Sequence, residues 1–240
     1  MYKIITQTDD FVVVSKSAGI NFHDEGNIGA GLFSQVKAFL QKHTSITELY
    51  PVHRLDKMTS GLIIFATNLI SAQLFSELFK HHLVEKYYLA ISDKKPNKKQ
   101  GLLKGDMAKS RRGMYKLMRS MENPAITQFF SYPLNDNKRL YLLKPHSGKT
   151  HQLRVALSSI GAPIIGDPLY YSRSSNDSTE QAKLFTDRGY LHAYALRFEF
   201  SGKVYEFTLP PSEGRFYLSD NFNGCLNEIK QPWLLNWPKI

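Results

Sequence analysis

The sequence predicts an α+β fold on three grounds. Segments with strand character outnumber segments of helical spacing, several strand pairs are separated only by hairpin-length polar stretches, and no glycine-rich phosphate loop opens the chain as it would in a doubly wound parallel sheet.

Phe11 to Val14 is β-branched and aromatic, with Asp9-Asp10 as the turn before it, so it reads as a strand. Gly31 to Lys42 places Leu32, Val36, Phe39 and Leu40 at helical spacing, and Asn68 to Lys80 repeats the pattern with Ile70, Leu74 and Leu78 behind a suitable N-cap, Asn68. Between these helices, Gly61-Leu62-Ile63-Ile64-Phe65-Ala66 is short, continuously apolar and bounded by turn residues, as a buried strand is. Glu85 to Ile91 is a tyrosine-rich strand, and Ser92 to Lys99 a basic connection. Ala125 to Tyr132 and Arg139 to Lys144 pair across the polar turn Asn135-Asp136-Asn137-Lys138. From His151 a helix is signalled by Leu153, Ala156, Leu157 and Ile160 on one face, with Thr150 as N-cap and Gly161 as C-cap, and Arg154 turned to a different face. Ser172 to Ser178 reads as a polar surface loop, and Ala193 to Phe200 with Lys203 to Leu209 as a final hairpin around Ser201-Gly202. Trp233 and Trp237 in the tail are expected to dock.

With 240 residues and 42% hydrophobic content, a sizeable core is feasible. The 31 Lys and Arg against 21 Asp and Glu give a net charge of +10, which suits a polyanionic partner without demanding one. The single cysteine, Cys225, excludes an internal disulfide and argues against structural zinc. His81-His82 invites a metal reading, but adjacent residues at a helix end point in different directions and no cysteine or acidic cluster completes the site, so no metal is expected. No segment approaches the roughly 20 apolar residues of a membrane span, and the N-terminus has no long apolar run, so the expected location is cytoplasmic with no membrane partner.

The chemistry concentrates in His53-Arg54-Leu55-Asp56-Lys57-Met58-Thr59-Ser60-Gly61, a polar loop leading into the buried strand with one carboxylate between two cations. By itself this could be a structural ion pair. The string HRLDKMTSGL, however, matches the HRLDxxTSGL signature of pseudouridine synthases of the RluA type. Lys86-Tyr87-Tyr88-Leu89-Ala90 resembles the family's KxYxA, Gly148 to Val155 its G(R/K)THQ(L/I)RV, Gly161 to Asp167 its GxPIxGD, and Leu191-His192-Ala193 its LHA, all in the expected order. The family usually has Pro where Ser17 stands and often His where Ala156 stands.

The resemblance implies the pseudouridine synthase fold, a long curved, mixed but largely antiparallel sheet flanked by helices and loops with a central active cleft. It reaches from near Met1 to about Pro211, so residues 1–240 are expected as a single catalytic domain with a core over about 1–211 and a tail over 212–240. The N-terminal S4-type domain often carried by the family is not expected. The implied reaction breaks a uridine's N1–C1′ bond within RNA, turns the base and rejoins it through C5, without cofactor, and begins by flipping the base out of its stack.

By the same resemblance Asp56 is the catalytic carboxylate, Arg154 its opposing cation and Tyr88 the ring that stacks on the target base. Attack at C6, attack at C1′ and a glycal route all remain open. Arg54 fills the space left by the flipped nucleotide, and His53, Thr59, Ser60 and Gly61 shape the loop. A loop histidine, His23, is expected to hydrogen-bond the site. Arg111, Arg112, Lys116 and Lys149 are candidate phosphate contacts, the first three interleaved with Tyr115. The expected partner is a stem-loop of ribosomal or transfer RNA, bound by a monomer. The competing readings are a noncatalytic RNA-binding or RNA-folding factor, disfavoured by the intact Asp56, Tyr88 and Arg154 set, and a glycosidase, which needs a second carboxylate where Asp167 reads as a turn residue.

Overall fold

The computed structural model describes residues 1–171 and 187–240. The loop expected at Ser172 to Ser178 lies outside the described residues. The fold is α+β and largely antiparallel, divided into two compact units, Met1–Val84 with Phe198–Tyr205 and Glu85–Arg197 with Glu206–Ile240.

In the first unit, β1 (Tyr2–Gln7) and β2 (Phe11–Lys16) form an antiparallel pair, and β2 pairs in turn with β4 (Ser60–Ala66), whose open end also takes the two residues of β3 (Tyr50–Pro51). Every residue of β4 is buried, as its unbroken apolar run requires. Ser17, standing where the family usually has Pro, donates its N–H to the carbonyl of Met1 at 3.0 Å and so continues the β1–β2 ladder, a bond that Pro would forfeit.

Two helices cover this unit. Helix α1 (Leu32–His43) buries Leu32, Val36 and Leu40 while Phe39, expected on the same face, is exposed. Helix α2 (Leu69–Lys80) begins at the expected cap, with Asn68 Oδ1 accepting from Ser71 N–H at 2.8 Å. Its expected apolar face is not the buried one: Ile70 and Leu74 are exposed, and Ser71 and Phe75 are buried. The reason is a long-range aromatic cluster in which Phe75 lies 5.6 Å from Phe11, 5.5 Å from Phe198 and 4.8 Å from Phe200. The last two belong to the predicted hairpin, β11 (Leu191–Phe200) and β12 (Lys203–Thr208), which turns through the left-handed pair Ser201-Gly202.

In the second unit the strand order is β11-β5-β10-β9-β6, with β5 (Glu85–Ser92), β6 (Gln100–Gly105), β9 (Ala125–Pro133) and β10 (Arg139–Pro145). The short strands β7 (Met107–Lys109) and β8 (Tyr115–Leu117) form a separate hairpin. Helix α3 runs Gln152–Ser159 and α4 runs Asp220–Glu228. Helix α3 departs from expectation in two ways. His151, in left-handed backbone (φ 57°), occupies the cap position expected for Thr150, because a turn closed by Gln152 N–H on the carbonyl of Lys149 sets the helix start. And all of Gln152 to Leu157 is buried, Arg154 included, so the helix has no open polar face in its first turns.

The tail packs on this unit. Tyr217 and Phe222 are buried, Tyr217 Oη donates to the carbonyl of Leu89 at 3.1 Å, and Trp237 lies 5.8 Å from Tyr87 and 4.8 Å from Phe130.

Candidate active site

The Asp56 loop is held on three sides within the first unit. Its own turn is closed by Thr59 N–H on the carbonyl of Asp56 at 3.0 Å, and Thr59 and Ser60 are buried beneath it. His53 Nε2 accepts the N–H of Ile64 from β4 at 2.9 Å, which requires a neutral imidazole with its proton on Nδ1, and the ring lies 4.9 Å from Phe79. The histidine thus clips the loop to the strand that follows it. Gly61 then enters β4 at φ 109°, backbone that a side chain would strain.

The third hold is Lys16, whose side chain is buried and whose ammonium donates to the carbonyls of Ser17 at 3.0 Å and Lys57 at 3.1 Å. Lys57 O also accepts from Gly19 N–H at 2.8 Å. A buried ammonium is costly unless it is satisfied, and here it fixes the peptide next to Asp56. Asp56 is half-buried while Arg54 and Lys57 point outward and are exposed. His23 is exposed and lies edge-on to Phe22, and its neighbour Asp24 does the local structural work, accepting from Gly29 N–H, Gly31 N–H and Ser34 Oγ at the start of α1. Those bonds hold the Asp24 carboxyl below its ordinary range.

In the second unit β5 separates two adjacent tyrosines onto opposite faces. Tyr87 is core, as expected: it is buried, donates to Glu85 Oε2 at 2.9 Å, lies under Lys144, and has its phenol pushed up by burial. Tyr88 is half-buried on the other face, in register with Leu143 of β10 and Ala193 of β11. The β11 register slips between Ala193 and Ala195, a bulge directly beside Tyr88. Lys86 shares Tyr88's face, and burial pushes its ammonium down to about 8. His192 is locked nearby by a 2.7 Å bond to the carbonyl of Leu209, its imidazole pushed down to about 4 by burial and hence neutral.

Arg154 sits on α3 with its guanidinium against the carboxylate of Asp167: Nε donates to Oδ2 at 2.7 Å and Nη2 to Oδ1 at 2.8 Å, with side-chain exposures of 5% and 0%. Asp167, read from sequence as a turn residue only, is therefore a partner of this arginine, and its Oδ1 also accepts from Leu169 N–H and Tyr170 N–H. Gly166 before it has φ 75°, and a Cβ there would stand 2.1 Å from the carbonyl oxygen of Arg188, so only glycine fits. Gln152 is satisfied on both ends of its amide. Its Oε1 accepts from Ser147 Oγ and Lys149 N–H, and its Nε2 donates to Ile126 O and Thr127 Oγ1, tying the Lys149 loop to β9.

The candidate phosphate contacts all fall in this unit. Arg111, Arg112 and Lys116 are exposed on the β7–β8 hairpin, where Arg112 adopts left-handed backbone, and Lys149 Nζ donates to Asn123 Oδ1 at 2.7 Å. Among the described residues no group of three or more His, Cys, Asp or Glu could hold a metal ion, and no helix is long and apolar enough to cross a membrane.

The model of the family described as RNA pseudouridylate synthase matches residues 10–159, which include the Asp56 loop, Tyr88 and Arg154. The chain belongs to that family. An RNA pseudouridine synthase of Haemophilus influenzae, itself uncharacterized, is 44% identical over 217 residues covering 90% of each chain. The ribosomal large subunit pseudouridine synthase C of Rickettsia bellii is 34% identical over 84% of this chain, which spans 64% of that longer protein. Human RNA pseudouridylate synthase domain containing 4 superposes with a TM-score of 0.69 at 25% identity, covering 95% of this chain and 92% of its own. The protein is thus a pseudouridine synthase, an isomerase whose substrate is RNA.

Sequence reasoning identified the motifs but passed over several residues that hold them. Gln152 and Asp167 lie in the quoted strings and Lys16 directly precedes Ser17, but of the three only Asp167 carried a reading, as a turn residue. Tyr170 carried no signal beyond its nearness to Asp167.

Proposed function

We propose that this synthase isomerises uridines in a structured stem-loop of ribosomal RNA or transfer RNA, using Asp56 as the group that attacks the nucleotide or stabilises its sugar. The observation that carries this reading is the Asp56 loop, pinned by His53, Lys16 and the Asp56–Thr59 turn so that one half-buried carboxylate is presented on a rigid support. Relatives named as ribosomal large subunit synthases favour a ribosomal target over a transfer RNA.

In this mechanism the target base leaves its stack and lies against the ring of Tyr88, which contributes about 1–3 kcal/mol of stacking. Arg54, exposed at the loop, occupies the vacated space in the RNA. The N1–C1′ bond breaks, uracil turns, and C5 bonds to C1′ as the C5 proton departs and N1 takes up a proton. Atoms and oxidation states balance without a cofactor. By the family resemblance Arg154 is the cation of the reaction site, and its guanidinium is held by Asp167. Arg111, Arg112, Lys116 and Lys149 bind phosphates, and a single catalytic domain acts as a monomer in the cytoplasm.

The test is tritium release from cellular RNA labelled at uridine C5 and prepared from a strain lacking the gene. The parent protein releases label and Asp56→Ala does not, while both bind RNA equally. Release by Asp56→Ala at the parental rate overturns the assignment of Asp56.

A further inference from the structure

Two groups on separate elements meet at the hydroxyl of Tyr170. Tyr115 N–H, at the start of β8, donates to Tyr170 Oη at 2.7 Å, and the same oxygen lies 3.1 Å from His151 Nδ1. Which of the two donates in the contact with His151 depends on the imidazole tautomer, and in either case the hydroxyl bridges β8 and the start of α3. The rings reinforce the contact: Tyr115 stands edge-on to His151 at 5.7 Å, and Tyr170 edge-on to His151 at 5.8 Å. Tyr170 also lies under Arg154, 5.1 Å from guanidinium carbon to ring centre, and takes its place from the bond its N–H makes to Asp167.

The β7–β8 hairpin is continued at its base by Met118 N–H on the carbonyl of Asp106 and by Asp106 N–H on the carbonyl of Ser120, while its far end carries Arg111 and Arg112. Its strands are three residues each, among the described residues they pair with one another alone, and its tip turns through Arg111–Gly113 with Arg112 and Gly113 both in left-handed backbone. A two-stranded hairpin of that size is marginal alone.

We infer that Tyr170 is a positioning residue that clasps the arginine-bearing hairpin to the N-terminus of α3, so that Arg111 and Arg112 are held in place before RNA arrives. This rests on the reading that the hairpin contacts RNA. Its effect is preorganisation: the ordering cost of the hairpin is met in the free protein and does not weaken binding. The residue touches no reacting atom, so its loss changes how much RNA is needed and not how fast bound RNA reacts.

The test is single-turnover tritium release from uridine-labelled ribosomal RNA, with rate followed against RNA concentration for four proteins: parent, Tyr170→Phe, Arg111→Ala/Arg112→Ala, and the triple variant. Phenylalanine keeps the ring under Arg154 and removes only the hydroxyl. Tyr170→Phe is expected to raise the half-saturating RNA concentration about fivefold, the loss of about one net hydrogen bond, with the maximal rate within about twofold of the parent. In the Arg111→Ala/Arg112→Ala background the same change is expected to add less than about twofold, since of the candidate phosphate contacts on the hairpin only Lys116 is then left for the clasp to aim. A fivefold effect that persists in that background overturns the clasp alone. An unchanged half-saturation for Arg111→Ala/Arg112→Ala overturns the hairpin contact and the clasp with it. A fall in maximal rate at unchanged half-saturation also overturns it. Tyr115→Ala, which removes the ring from the hairpin side, is expected to move half-saturation in the same direction and keeps the test open if Tyr170→Phe fails to fold.

Discussion

Asp167→Asn separates the architecture of the Arg154 site from its chemistry. Asparagine keeps the size of the side chain and an Oδ1 that still accepts from Leu169 N–H and Tyr170 N–H, at 2.9 and 3.1 Å. It loses the charge and turns an N–H donor toward the Nε of Arg154, where a carboxylate oxygen stood at 2.7 Å. Both side chains are almost wholly excluded from water, so the buried guanidinium loses the Asp167 charge. Breaking one side of such a pair costs about 3–5 kcal/mol, whereas removing both sides with apolar groups of similar volume can be close to neutral. With a urea m-value of about 3 kcal/mol/M, the midpoint of unfolding falls by about 1–1.7 M. Fluorescence of Trp233 and Trp237, both packed against Tyr87, reports this unit. The Arg154→Met/Asp167→Asn double variant, which removes the buried cation and keeps the acceptor for Leu169 N–H and Tyr170 N–H, should recover most of that loss in stability while remaining without activity. A loss below about 1 kcal/mol for Asp167→Asn, or a double variant no more stable than the single, would refute the account of this pair as a buried, mutually dependent unit.

Two further outcomes follow from the surrounding scaffold. His192 has a folded-state pKa near 4 against an ordinary 6.5, so below pH 6.5 the unfolded chain takes up a proton that the folded one refuses; its contribution is present above 6.5 and is lost as pH falls toward 4, by about 3 kcal/mol in all. Urea midpoints of the parent and His192→Gln, measured from pH 7 to pH 4, should therefore converge on acidification, and parallel curves would contradict the buried neutral imidazole. Gly166→Ala should cost more than about 3 kcal/mol or prevent folding, because it combines left-handed backbone with a Cβ placed 2.1 Å from a carbonyl oxygen; soluble expression with a parental thermal midpoint would show that the approach of Arg188 is not fixed.

Strands whose identity is carried by their own residues were legible in the sequence. β4 reads correctly because all of its residues are buried, and the β9–β10 hairpin because a polar turn separates two apolar runs. What fails is the reading of a face from local periodicity. In α2 the regular row of Ile70 and Leu74 faces outward, since the helix docks through Phe75 onto aromatic rings from β2 and from a hairpin more than a hundred residues later in sequence. β1 and the β7–β8 hairpin escaped notice because short, half-exposed strands of mixed polarity have no alternation to detect. Arg154 was recognisable from its motif, but the carboxylate that holds it lies 13 residues on, beyond the end of the helix. A helix face computed from spacing alone has no means of finding it.

The motif strings mix residues that react with residues that hold, and the GKTHQLR string shows how geometry tells them apart. Gln152 spends both ends of its amide inside the protein, on Ser147, Lys149, Ile126 and Thr127, so it has no function left to offer a substrate and its place in the motif is explained by rigidity. The support continues backward into a region without any motif. Gln128 Nε2 donates to the carbonyl of Pro238, so its Oε1 must be the end facing His146 Nε2, 2.6 Å away, and that imidazole nitrogen must carry a proton. His146 directly precedes Ser147, the partner of Gln152, and its N–H is held by the carbonyl of Ile126. Trp237 fixes Pro238 by packing on Tyr87 and Phe130. The extreme C-terminus, which sequence reading left without a role, is thereby continuous through side-chain bonds with the loop that carries Lys149 and leads into Arg154. A polar network of this kind rigidifies only while every member is satisfied, and Trp237 and Pro238 contribute to it from beyond the last recognisable motif.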